Sequence, residues 1–391
     1  MLKVFLKKGR ESPVLRGHPW IFSGALQRVE GDREEAGVTD VLDWRGEWLA
    51  RGLYSPKSQI RVRILTWERE EIDRAFFTRR LSRAAALRER CLSPYTNGCR
   101  LVNGEGDFLP GLVVDRYNDF LVCQFFTAGM DRLKGVVVDA LLSLFPLKGI
   151  YERSEGGVRE EEGLLPAVGV MAGEEPPELI EIEENQLRFL VDIRAGQKTG
   201  FFLDQRENRL FLSSLSRDRT VLNCFAYTGA FTVYGLRGGA GRVVSVESSR
   251  SAIELAKRIV KGNGFSVADD DCVKADVFSY LKGCEERFDV VVLDPPSLAH
   301  RRADVEAASG AYKFLNLHAL GSLEAGGLLL TFCCSQHLSW DLFQKIVFGA
   351  AADSGRKVRL LKRLGHPLDH PVSLHHPEGE YLKGLLLNVL E

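Results

Sequence analysis

The sequence predicts a multi-domain chain: an N-terminal all-β barrel (1–72), a central α+β domain (73–185) and a C-terminal α/β domain with a Rossmann-like, doubly wound sheet (186–391). Three observations predict it. The 391 residues exceed what one hydrophobic core organises. The first stretch carries only short alternating apolar runs, at 4–6, 38–43, 47–54 and 59–65, separated by Gly, Pro and Asp. Beyond residue 186, strand-like and helix-like segments alternate, as in a parallel sheet covered by helices.

The elements follow in order. Residues 69–90 have helical spacing, with Ile72, Phe76, Leu81, Ala85 and Leu87 among Arg and Glu, and link the barrel to the central domain. There, 112–114 and 120–126 flank D-R-Y-N-D as a hairpin, 130–144 is an amphipathic helix, and 149–153 and 179–182 are strands. Residues 154–178, rich in Glu, Gly and Pro, predict a mobile loop whose run Glu160-Glu161-Glu162 is a solvated face. In the last domain, strands are expected at 187–191, 220–225, 242–246, 271–274, 290–293, 326–332, 358–361 and 382–390. Helices are expected up to Phe211, after Thr232, and at 251–263, 312–323 and 340–354.

Composition narrows the function. The formal net charge is −1, so any nucleic-acid surface must be local. Eight cysteines include no C-x-x-C pair, which argues against a zinc ribbon. No metal is expected, and His18, His370, His375 and His376 read as packing or surface groups. Lys3, Lys7, Lys8 and Arg10 interrupt any signal-peptide core, and no apolar run spans a bilayer. A cytoplasmic protein with reduced thiols and no membrane partner is expected. Basic and aromatic residues mingle in the barrel: Lys7, Lys8, Arg10, Arg16, His18 and Trp20, with Arg61 and Arg63. They suit phosphates and bases, and equally a solvated charged surface.

The central stretch is F-D-V-V-V-L-D-P-P-S at 288–297. Its unbroken apolar run reads as a strand buried on both faces. The two prolines end it, leaving Asp294 at the carboxyl edge of the sheet, where open α/β sheets bind ligands. A second ligand signal is the turn Ala226-Tyr227-Thr228-Gly229 after the first core strand, with Glu247 at the end of the next. A carboxylate there suits ribose hydroxyls. NAD is the rival, but G-x-G-x-x-G is absent and Phe225 and Tyr227 fill the space of a pyrophosphate. The turn therefore points to S-adenosylmethionine. Asp276, where the third strand ends, could receive the adenine amine or cap a helix, and the roles can coexist.

Cys333 and Cys334 end the neighbouring strand and face opposite sides of it. Buried cysteines are mostly inert packing. Beside a methyl donor, a thiolate adding at carbon 6 of a pyrimidine turns carbon 5 into a nucleophile. Asp294 would hydrogen-bond or move a proton at N3 of a base taken out of its stack.

Two sets of motifs carry a family resemblance. K-K-G-R (7–10), R-G-H-P-W-I-F-S-G-A (16–25) and V-L-D (41–43) resemble the PUA domain, a small RNA-binding barrel. L-P-G-L-V-V-D-R-Y (109–117), Q-K-T-G-F-F-L-D-Q-R (197–206), N-C-F-A-Y-T-G-A-F (223–231), D-P-P-S, T-F-C-C-S (331–335), D-H-P (369–371) and P-E-G-E-Y-L-K-G (377–384) extend the likeness over the whole chain. It resembles the bacterial ribosomal RNA large subunit methyltransferase I family, class I enzymes forming 5-methylcytosine in 23S ribosomal RNA. The resemblance implies S-adenosylmethionine contacts at Gln197, Lys198, Thr199, Phe202, Asp204, Arg206, Asn223, Phe225, Tyr227, Thr228, Gly229, Glu247, Asp276 and Asp294. It implies RNA contacts on the barrel, and often a homodimer. The family's catalytic cysteine maps to Cys334, with Cys333 standing where the family has serine and Ser297 where D-P-P is often followed by lysine. Rival readings are a base amino-group RNA methyltransferase, which tends to carry an aromatic residue after D-P-P, and a non-catalytic ribosome-assembly factor.

Overall fold

Six strands build the N-terminal barrel in the computed structural model, which describes residues 2–390. They are β1 (Leu2–Leu6), β2 (Trp20–Phe22), β3 (Leu26–Glu30), β4 (Gly37–Leu42), β5 (Trp48–Tyr54) and β6 (Ile60–Thr66), ordered β2-β6-β5-β4-β1-β3. A short helix, α1 (Ser12–Leu15), follows β1. Period-2 alternation turns Val4, Leu6, Val41, Val62 and Ile64 into one core.

Helix α2 (Arg74–Cys91) starts later than its spacing predicts because Asp73 caps it, accepting from the Phe76 amide at 2.9 Å. Phe76, Phe77 and Leu81 bury against a second sheet, ordered β11-β10-β9-β8-β7. Its strands are β7 (Gly98–Asn103), β8 (Leu112–Tyr117), β9 (Phe120–Phe125), β10 (Gly149–Ser154) and β11 (Ala167–Gly173). The helix expected at 130–144 is two, α3 (Ala128–Arg132) and α4 (Lys134–Leu144), broken at Leu133.

The expected loop at 154–178 is structured. It contains α5 (Gly157–Glu161) and β11, an edge strand antiparallel to β10. Its exposed Val168 and Val170 and its two glycines hid it from pattern reading. Glu162 is not on a solvated face either. It is 3% exposed, pairs with Arg63 at 2.8 Å and accepts from the Ala128 amide at 3.0 Å. Arg63 is thereby removed from the barrel's surface charge.

Next come β12 (Ile180–Glu184) and β13 (Leu187–Val191), then α6 (Arg206–Leu215). The last sheet holds β14 (Thr220–Cys224), β15 (Arg242–Glu247), β16 (Cys272–Lys274), β17 (Phe288–Leu293), β18 (Leu323–Cys333), β19 (Val358–Leu364) and β20 (Lys383–Val389). Its helices are α7 (Ala230–Arg237), α8 (Arg250–Gly262), α9 (Val277–Gly283), α10 (Val305–Gly321) and α11 (Trp340–Asp353). The order is β16-β15-β14-β17-β18-β20-β19, parallel from β16 to β18 and antiparallel around β20. Strand order therefore reverses between β14 and β17, the switch point where such sheets bind ligands. Val290 to Leu293 are all 0% exposed: Val291 and Leu293 pack with α10 and α11, Val290 and Val292 with Phe231 of α7.

The chain divides into two compact units, neither contiguous in sequence. The first takes the chain to Gln186 plus Val191–Leu203 and Leu368–Gly379; the second takes Leu187–Leu190, Asp204–Pro367 and the C-terminal segment from Glu380. Residues 368–379 are wedged into the first unit. The Asp369 carboxylate accepts from the Arg100 amide at 2.9 Å, and its carbonyl accepts from Arg88 Nη2 at 2.8 Å. A side chain at Gly106 would place its Cβ 1.9 Å from the Pro371 carbonyl oxygen, so only glycine fits there.

Candidate active site

The carboxyl edge of the second unit's sheet gathers the chemistry. After β14 the backbone takes left-handed conformations at Phe225 (φ 59°), Tyr227 (φ 46°) and Gly229 (φ 76°). Two aromatic residues in that region are strained, a state seen mostly where function requires it. Gly229 also has no room for a side chain, since its Cβ would lie 2.9 Å from that of Ala256. The turn is held from below by Glu247, 8% exposed at the end of β15. Its carboxylate accepts from the Tyr227 and Ser249 amides, each at 2.9 Å. Thr228 is buried beside it. Asn223 donates to Thr232 Oγ1 at 3.0 Å, while its Oδ1 is buried with no hydrogen-bond partner among the described residues. Asp276 caps α9, its Oδ1 accepting from the Ser279 amide and hydroxyl, each at 2.9 Å.

Glu247, Asp276 and Asp294 thus line consecutive strand ends with negative charge. That edge repels a pyrophosphate and suits hydroxyls, an amine and a cation. The residues present fit an adenosyl sulfonium cofactor.

Asp294 is half-buried, and its Oδ1 accepts from Gln205 Nε2 at 2.9 Å. Gln205 Oε1 in turn accepts from Asn208 Nδ2 at 2.6 Å, which also reaches the Gly365 carbonyl at 3.1 Å. This amide chain orients the carboxylate. Gln205 was not among the residues singled out in the sequence, though its place three before Asn208 at the start of α6 was a signal. Asp204 is 2% exposed and accepts from the Tyr381 hydroxyl at 2.8 Å; Arg206 is buried too.

Gln197, Lys198, Thr199 and Phe202 belong to the first unit. There Thr199 donates to Asp115 at 2.6 Å and meets the Tyr117 hydroxyl at 2.7 Å. Asp115 takes a two-pronged pair from Arg100 at 2.8 and 3.0 Å. Burial pushes the Tyr117 phenol far up, so it stays a neutral hydrogen-bonding group. Lys198 has φ 52°, and its Nζ sits 4.5 Å from the Phe202 ring centre.

The two cysteines differ as their alternation predicts. Cys333 is 0% exposed in the core; Cys334 is half-buried, and its thiol points to the Pro295 carbonyl at 3.7 Å. Ser335 ties the two strand ends together. Its Oγ accepts from the Leu298 and Ala299 amides, each at 3.2 Å, and meets the hydroxyls of Ser297 at 3.1 Å and Tyr312 at 3.2 Å. Ser297 is thus a structural clamp on the D-P-P-S turn. Nothing near the D-P-P-S turn pointed to Tyr312, which reaches this clamp from α10.

On the barrel, Lys7, Lys8, Arg10 and Arg16 are exposed. Lys7 donates to the Gly24 carbonyl, and Lys8 lies over Trp44. Arg10, His18, Trp20 and Phe22 line a concavity of about 410 Å³. Trp20 is committed inward: its indole N–H donates to Glu105 at 2.8 Å, and its ring lies 4.3 Å from that of His376. His18, His376 and Glu378 bring ligand-type atoms within 4.8 Å of one another. The Trp20 amide and the Trp20 carbonyl both lie against His18 Nδ1, at 3.1 and 3.4 Å, and His18 Nε2 lies 3.9 Å from Glu378.

Comparison with known proteins agrees with this geometry. A family model for a PUA-like domain matches residues 4–67, and one for an S-adenosylmethionine-dependent methyltransferase matches 166–373. In fold, the chain is similar to a structure from Streptococcus mutans described as a candidate SAM-dependent methyltransferase (24% identity, TM-score 0.85, all of both chains covered). A further similar structure, a candidate methyltransferase complexed with SAH, shares 25% identity with TM-score 0.86 over all of both chains. The protein is an S-adenosylmethionine-dependent methyltransferase with an N-terminal PUA-like domain. Curated relatives refine this: "Ribosomal RNA large subunit methyltransferase I" of Tolumonas auensis is 47% identical over 99% of both chains, and that of Photobacterium profundum 45% over 97% of this chain and 98% of the relative. The chain belongs to the ribosomal RNA large subunit methyltransferase I family. No described helix is long and apolar enough to cross a membrane.

Proposed function

We propose that this protein methylates carbon 5 of a cytosine in 23S ribosomal RNA through a covalent adduct with Cys334. The observation that carries the reading is the Cys334 thiol, half-buried and aimed at the D-P-P turn that holds Asp294. The names of its relatives support the choice of ribosomal RNA. When bound, S-adenosylmethionine supplies an electrophilic methyl on sulfur. The Cys334 thiolate adds to carbon 6 of the base, and the electron pair of the 5,6 double bond becomes available at carbon 5. Asp294, oriented by Gln205, enters this step as the carboxylic acid and passes its proton to N3, so that no net negative charge is left on the ring as carbon 6 is attacked. Once carbon 5 carries the methyl, its proton leaves to a base, the carbon–sulfur bond breaks, and the thiolate is regenerated. The Glu247-braced turn would hold the adenosyl group, and the barrel's Lys7, Lys8, Arg10 and Arg16 would hold RNA phosphates.

The test is methyl transfer from labelled donor to unmodified large-subunit ribosomal RNA. Cys334→Ala is expected to lower 5-methylcytosine formation by about 10³-fold or more while donor binding persists. Full activity in that variant rejects Cys334. Label on an exocyclic amine would point to the amino-group rival, and tight RNA binding with no label to an assembly factor.

A further inference from the structure

The outer edge of the second unit's sheet carries an unbalanced charge. Residues 356–363 read R-K-V-R-L-L-K-R, and no acidic residue occurs between Asp353 and Asp369. Such a run is local in a chain whose formal net charge is −1. It runs into β19, the edge strand next to β20, and residues 359–363 are all exposed. Arg363 donates to Gln344 Oε1 at 2.9 Å. Among the described residues no carboxylate pairs with Arg359, Lys362 or Arg363.

The ladder fixes where these cations stand. Lys362 pairs with Leu386 and Arg363 with Leu385. Leu386 belongs to the core under α6 and α7, Leu385 to the core under α10 and α11. The two cations therefore occupy opposite faces of the edge. Each lies over a ring from the helix on its own face: Lys362 Nζ is 4.5 Å from the Phe211 ring centre, and the Arg363 guanidinium is 5.5 Å from that of Trp340. One turn beyond Gln344 on α11, Phe348 is 72% exposed. The row Leu293, Thr331, Leu385, Arg363 crosses β17, β18, β20 and β19, and Asp294 directly follows Leu293. Three strand spacings put the Arg363 backbone about 14 Å from that of Leu293.

Lysines and bulges also guard edge strands against pairing with another copy. The irregularity between Leu360 and Lys362 already serves that end. Guarding an edge does not call for unpaired cations on both faces, set among aromatic rings. A polyanion with flat bases does: phosphates take the cations, and bases stack on exposed rings.

We propose that β19 is an RNA-binding surface of the second unit. Arg359, Lys362 and Arg363 hold phosphates of the substrate strand beside the active edge, and Phe348 offers its ring to an unpaired base. The proposal rests on the reading of ribosomal RNA as substrate and adds to the barrel a grip on the unit that carries Asp294 and Cys334.

Filter binding of unmodified 23S ribosomal RNA, transcribed in vitro, by the full-length protein across a salt series tests this. Reversing Arg359, Lys362 and Arg363 together to Glu should weaken binding about tenfold or more at low salt. Changing the same three to Gln should reduce the slope of log affinity against log salt by about 2, at about 0.7 per phosphate contact on a single strand. Phe348→Ala should weaken binding about fivefold with the slope unchanged. Donor binding at the wild-type level marks each variant as folded. Lysine acetylation of the wild type needs no variant, and bound RNA should protect Lys362 several-fold. A triple Glu variant with wild-type affinity and slope overturns the proposal, as does Lys362 acetylated equally with and without RNA. Unchanged RNA affinity together with a halved mass in light scattering would assign the edge to a second copy and overturn it too. A wild type that binds no ribosomal RNA would instead sink the substrate reading on which the proposal rests.

Discussion

At the carboxyl edge of the second unit's sheet, Glu247, Asp294 and Cys334 stand at or just past the ends of β15, β17 and β18, and partners from that unit hold each of them. On the barrel, His18 and Trp20 come from a similarly suggestive motif, yet Glu105 and His376, far along the chain, draw Trp20 inward. The first region keeps its polar groups at the carboxyl edge of the sheet; the second spends part of them on internal packing. A residue at the end of a parallel strand is positioned by backbone geometry, which sequence period dictates. A surface residue is positioned by whatever distant segment arrives beside it.

Four measurements can break or sharpen that contrast. The largest effect is expected at Glu247. Glu247→Ala removes the acceptor for the Tyr227 and Ser249 amides and frees a strained turn. Donor affinity, read by calorimetry, should fall about 10–100-fold, in line with a lost charged hydrogen bond and a disordered turn; unchanged affinity would place the adenosyl group elsewhere. Next is the barrel. Reversing Lys7, Lys8 and Arg10 to Glu should weaken RNA binding about tenfold at low salt and flatten its salt dependence. Trp20→Ala should chiefly lower the melting temperature, and a selective loss of RNA affinity instead would restore Trp20 to the binding face. The smallest concerns His376, 3% exposed, whose pKa burial lowers. Below its ordinary value near pH 6.5 the unfolded chain binds the proton more readily than the folded one, so stability declines as pH falls. Between pH 8 and 5.5 the wild type should lose roughly 2–4 °C more in melting temperature than His376→Gln; parallel curves would remove His376 from that account.

The run Val290–Leu293 announced a doubly covered strand, and all four residues are fully buried. The turn at 225–229 was legible as a turn from the strand before it, its glycine and the helix after it, but its left-handed aromatic residues were not, because φ is not written in side-chain type. The edge strand β11 escaped notice because exposed valines and glycines carry no period. Glu162 looked solvated because its partner Arg63 lies 99 residues away. The same separation problem hid Gln205 behind Asp294 and Tyr312 behind Ser335. Local pattern named candidate groups; it could not name what braces them.

The wedge formed by residues 368–379 constrains how the polypeptide can be made. Arg88 and Arg100 wait for Asp369, and the gap over Gly106 waits for Pro371. During synthesis from the amino end, the early half must idle incomplete until residues 368–379 have been made. An expression fragment ending at Gln186 would lack its keystone, and a nick near Leu368 should loosen the part of the protein that was translated first.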